Sequence, residues 1–87
     1  MPMRDALLRL ALTADIREDE AADGMRRAAQ AIGAPMVEVE AEIAAMVRAG
    51  LLYDPIRIRE GALKCHWRLE PTPEGAAAAT KLAARGG

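Results

Sequence analysis

The 87-residue chain has no phenylalanine, asparagine or serine, a single glutamine, and one each of cysteine, histidine, tryptophan and tyrosine. Each scarcity excludes something. One cysteine, Cys65, leaves no partner for an internal disulfide, and one thiol with one histidine falls short of a zinc site. Cys65 and His66 are neighbours and look like a nucleophile beside its base, but successive side chains on a strand point to opposite faces, so the two do not meet. Cys65 reads as a small core residue. The paired carboxylates Glu38/Glu42 and Glu18/Glu20 have nothing nearby in sequence to complete a metal or acid–base site, and read as exposed helix charge. No glycine-rich phosphate loop follows a strand. Neither catalysis nor a cofactor or metal is expected. No run approaches the roughly 18 apolar residues of a membrane span, and Arg4 and Asp5 sit where a secretory signal carries its apolar stretch. The expectation is a cytoplasmic protein without membrane contact.

What is present is alanine. It accounts for 20 residues, against 17 for Leu, Ile and Val together, so the core is expected to be small. Lys and Arg number 12 and Asp and Glu 13, for a net charge of −1. The length suits one domain, 1–87.

Periodicity orders the chain. Leu7, Leu8, Ala11 and Leu12 recur at helical spacing and predict a first helix over about 3–13. Asp15 followed by Glu18 has the form of a capping box, which predicts a second helix over about 16–32 with Ala21, Met25, Ala28, Ala29 and Ile32 inward. Gly24 is a weak point in it, costing about 1 kcal/mol against alanine. Gly33-Ala34-Pro35 breaks the ladder, Gly33 suiting a left-handed C-terminal position. A third helix follows over about 36–49, with Met36, Val39, Ile43, Met46 and Val47 on one stripe and Gly50 stopping it. Leu51 and Leu52 return the chain to the core.

After Asp54-Pro55 the period changes from 3.6 to 2. Ile56 and Ile58 share a face, as do Leu63, Cys65, Trp67 and Leu69, while Arg57, Arg59, Lys64, His66 and Arg68 take the other. A hairpin over about 56–69, turning at Glu60-Gly61 or Gly61-Ala62, is predicted. Thr72 as N-cap, Pro73 at the first helical position and Glu74 near the positive end of the dipole then start a fourth helix over about 73–84.

The run AAQAIGAPMVEVEAEIAAMVRAGLL resembles the helix-turn-helix segment of bacterial regulators, with Ala29, Gly33, Val39 and Ile43 at the positions that hold its two helices together. WRLEPTPEG is similar to the strand-to-helix junction of MarR-type and PadR-type regulators, although Glu70-Pro71 intervenes between Leu69 and Thr72. The resemblance implies a mainly α fold with a small β-hairpin, a winged helix-turn-helix in the order of three helices, two strands and a closing helix. It also implies a DNA-binding, transcription-regulating role, with the third helix in the major groove.

The chemistry of that helix points elsewhere. Val37, Ala41, Ala44, Ala45 and Arg48 face away from the core, flanked by Glu38, Glu40 and Glu42, and a carboxylate near a phosphate weakens binding. Two readings stay open. In the first, double-stranded DNA is gripped through its phosphates by a basic wing, Arg57, Arg59, Lys64, His66 and Arg68, aided by Arg26, Arg27 and Arg48, with weak base readout. Those cations are otherwise a solvated face relieved by Asp54, Glu60 and Glu70, with Asp23 beside Arg26 and Arg27. In the second, the third helix is an interaction face for a protein partner through Val37, Glu38, Ala41, Glu42 and Ala45. An alanine-rich fourth helix beside the first suggests a homodimer through those two helices.

Overall fold

A computed structural model describes residues 2–55 and 67–85. They form four helices and a two-stranded antiparallel sheet: α1 (Met3–Thr13), β1 (Arg17–Glu18), α2 (Ala21–Ile32), α3 (Met36–Arg48), β2 (Trp67–Arg68) and α4 (Pro73–Arg85). No helix among them is long and apolar enough to cross a membrane.

Three helices fall within a residue of the boundaries their spacing predicts, and each places its expected stripe inward. Leu7, Leu8 and Ala11 of α1 meet Val39, Ile43 and Met46 of α3 in one cluster with Ala28, Ala29, Leu52, Trp67, Leu69 and Ala79. Leu12 is an exception, 45% exposed at the last turn of α1. Gly33 and Gly50 both adopt positive φ, 78° and 77°, where a side chain is strained. Each ends its helix by letting the following amide reach back: Ala34 donates to the Ala29 carbonyl, and Leu51 to that of Met46.

The second helix starts later than the capping-box pattern implies, at Ala21 rather than near residue 16. Its N-cap is Glu20, which makes no side-chain capping bond. Asp15 and Glu18 are occupied otherwise. Asp15 holds Arg17, and Glu18 accepts from Arg27 at 2.7 Å. The reason is the core's demand on the segment between them. Ile16 is buried, its carbonyl accepts the Leu69 amide at 3.0 Å, and the extended backbone this requires continues as β1.

The sheet also differs from the expected order. β2 pairs with β1, Arg17 opposite Arg68 and Glu18 opposite Trp67. On its other side the Arg68 amide donates to the Pro55 carbonyl, Tyr53 to that of Glu70, and Leu52 bridges Pro71. Residues 67–71 thus lie between the 16–18 segment and the 52–55 segment. The remainder of the predicted hairpin, 56–66, lies outside the described residues. Over residues 67–69 the alternation holds, with Trp67 and Leu69 buried and Arg68 half-buried between them.

Thr72 caps α4 as its position predicts. Its hydroxyl accepts the Gly75 amide at 3.1 Å and donates to the Gly50 carbonyl at 2.5 Å, so the cap also ties α4 to the end of α3. α4 packs on α1 within the same chain. Ala79 is buried and Ala78 and Leu82 lean on the core, so much of the alanine face expected to seek a second copy is covered internally.

Candidate functional site

The α2–α3 pair presents three surfaces, and the helical wheel of α3 separates them. Val37, Ala41, Ala44 and Arg48 point outward, Val37 being 71% exposed. On the flank toward α1, Glu42 is half-buried and accepts from Arg4 Nε at 2.9 Å, while Ala45 is half-buried. On the flank toward α2, Glu40, Ala44 and Val47 border a groove. The interaction face expected from the sequence, Val37, Glu38, Ala41, Glu42 and Ala45, is therefore divided: Val37, Glu38 and Ala41 are open, and Glu42 and Ala45 turn to the α1 side.

The groove is an open cleft of about 460 Å³. α2 contributes Ala21, Ala22 and Met25, and α3 contributes Glu40, Ile43, Ala44 and Val47. Asp54, Pro55 and Trp67 line it as well. Its existence depends on side-chain size. Alanine at 21, 22 and 44 leaves space between the helices, whereas Gly24, two positions beyond Ala22 on α2, lets the Trp67 ring lie directly on the α2 backbone. A Cβ at residue 24 would overlap Cε3 and Cδ2 of that ring. The groove itself was not expected from the sequence, which placed Ala21, Met25, Ile43, Val47 and Trp67 on inward or apolar faces and Glu40 and Ala44 on the outer side of the third helix. The one available signal was the cluster of small residues on α2, which reads equally as ordinary helix surface.

The cations expected to contact phosphate are found as follows. Arg26 donates to Asp23 at 2.6 Å, and Arg27 to Glu18 at 2.7 Å. Arg68 lies 3.8 Å from Asp15 and 3.7 Å from Glu70. Arg48 is exposed and has no ion pair among the described residues. Arg57, Arg59, Lys64 and His66 lie outside those residues, as does Cys65. Solvent-exposed pairs of this kind contribute about 0–1 kcal/mol each to stability. Their electrostatic consequence matters more, because a phosphate approaching Arg26, Arg27 or Arg68 meets a carboxylate already in place.

Asp15 is the centre of this network. The hydrogen bond from Arg17 holds its carboxyl below the ordinary aspartate value, and the charges of Arg17, Arg68 and Arg27 add to the effect. A depressed native value means that the ionised form favours folding above the unfolded-state value of about 3.9, and that this contribution disappears as pH falls through the native value. A carboxyl-detected NMR titration is expected to place the Asp15 midpoint below that of a free aspartate, and Arg17→Ala is expected to raise it. An unchanged midpoint in that variant would remove Arg17 as the cause.

Among the described residues no group of three or more His, Cys, Asp and Glu side chains is placed to hold a metal. No protein-family model, curated protein or solved structure matches the chain.

Proposed function

We propose that this chain is a winged-helix interaction module whose α2–α3 face docks a segment of another protein. The tight α2–α3 turn at Gly33 and the Thr72-Pro73 start of α4 support the winged-helix reading. The single observation that carries the docking reading is the composition of the face itself. Where a DNA reader would carry polar and cationic groups, α3 has Val37, Ala41 and Ala44 between Glu38 and Glu40, bordering an apolar cleft floored by Ile43 and Trp67. Apolar centres within a polar rim are the anatomy of protein interfaces.

The test is a photo-crosslinking amino acid placed at position 44, with position 81 on the exposed side of α4 as control. Discrete protein adducts from 44 but not from 81 are expected in cells. Adducts of position 44 with DNA, or the same pattern from both positions, would overturn the assignment.

A second reading keeps the same fold and assigns it to DNA. It is favoured by the alternation of Arg57, Arg59, Lys64, His66 and Arg68, five cations along one predicted hairpin face. On that reading, affinity for duplex DNA falls steeply with salt and drops further in Arg57→Ala and Arg59→Ala. Absence of binding at low salt would exclude it.

A further inference from the structure

We infer that the segment docked on α3 is the α3 of a second copy of this chain, lying antiparallel across a two-fold axis that passes between Ala41 and Ala44. This rests on the docking reading above and names the partner. Val37, Ala41, Ala44 and Arg48 follow one another at steps of four, three and four residues, the spacing of a seam between paired helices, and all four are exposed. Val37 is the most exposed large apolar side chain among the described residues.

Charge along the seam fixes the direction. Glu38 and Glu40 flank its N-terminal half, and Arg48 ends it. All three are exposed and have no ion pair among the described residues, unlike Glu42 on the α1 flank, which accepts from Arg4 at 2.9 Å. A parallel pair of α3 helices sets arginine against arginine and glutamate against glutamate. The antiparallel pair does the reverse. At about 1.5 Å of rise per residue, Arg48 lies roughly 8 Å to one side of the axis and Glu38 roughly 7 Å to the other, so the two-fold brings each Arg48 level with the second copy's Glu38. The aliphatic stem of the arginine then covers the second copy's Val37. At the centre Ala41 faces Ala44, and two methyl groups let the helix axes approach closely. The face thus carries both halves of its own complement, as a two-fold interface requires. Four side chains from each copy bury less than the roughly 1,200 Å² of a stable interface, so the dimer is weak, with a dissociation constant on the order of 0.1–1 mM.

The experiment follows the full chain from about 0.02 to 2 mM by sedimentation equilibrium and backbone amide shifts. Concentration-dependent shifts are expected at Val37, Glu38, Ala41, Ala44 and Arg48. An isotope-filtered NOE between the Val37 methyls of one copy and the Arg48 methylenes of the other is expected to report the direction. Arg48→Glu is expected to weaken association about tenfold, as is the double variant Glu38→Lys with Glu40→Lys, both at exposed positions and with the melting temperature retained. An equimolar mixture of these two variants is expected to restore it, because each then supplies the charge the other lacks. A chain that stays monomeric over the whole range, association that leaves the α3 amides unmoved, a dimer without the Val37–Arg48 NOE, or a mixture no tighter than either variant alone would overturn the pairing. Each of these outcomes leaves the docking reading standing, which falls on the crosslink from position 44 instead.

Discussion

Replacing Gly24 by alanine is expected to lower stability by about 2 kcal/mol, within the usual cost of overfilling a packed core. The sign is the informative part. At an exposed helical position the same change gains about 1 kcal/mol, because alanine is the better helix former. Here the added methyl group would enter the space of the Trp67 ring, and that ring is only 1% exposed, so it has no solvent to move into. The steric cost therefore exceeds the propensity gain. A urea unfolding curve of Gly24→Ala checks this directly. The coupling is equally specific: in the Gly24→Ala background, Trp67→Leu is expected to cost less than it does alone, because the smaller side chain relieves the overlap. Additive effects of the two substitutions would show that the ring and the α2 backbone do not constrain each other.

Trp67→Ala is expected to have the larger effect, about 3–5 kcal/mol. The ring is the largest fully buried side chain, it joins α2 to the sheet, and it closes the floor of the groove. Single domains are commonly held by about 5–15 kcal/mol, so the variant is expected to keep only a small margin. For a chain of this size the melting temperature is expected to fall by more than about 12 °C. Trp67→Phe leaves most of the apolar contact and is expected to recover most of the loss. A Trp67→Ala protein that melts like the parent would contradict the placement of this ring at the centre of the fold.

The helices were legible because their apolar residues repeat every three or four positions over several turns, and because Gly33, Gly50 and Thr72 mark their ends chemically. β1 was not. Two residues carry no periodicity, and Asp15 with Glu18 imitates a helix start that the burial of Ile16 overrides. Gly24 looked like a defect when considered within α2 alone; its reason lies in Trp67, more than 40 residues away in the chain. The same holds for the candidate site. The acidic and alanine-rich character of α3 could be read from its spacing, but which of its flanks meets α1 and which opens into a groove follows from helix placement. The Arg4–Glu42 bond and the small residues at 21, 22 and 44 record that placement.

The ion pairs change how charge along this surface is weighed. A count of arginines treats Arg26, Arg27 and Arg68 as available, whereas each stands beside a carboxylate supplied by its own neighbourhood. Glu40, exposed on the α3 wall of the groove, has no ion pair among the described residues. Surface sign here is thus decided by pairing rather than by composition, which is nearly neutral.

A backbone-amide titration of the labelled protein with random-sequence duplex DNA at low salt tests the central claim most directly. The account predicts that the amides of Glu38, Glu40, Ala41 and Ala44 stay in place while DNA is added. Saturable shifts spreading along those α3 positions would mean that this helix meets nucleic acid, and the assignment of its face to a protein partner would be wrong.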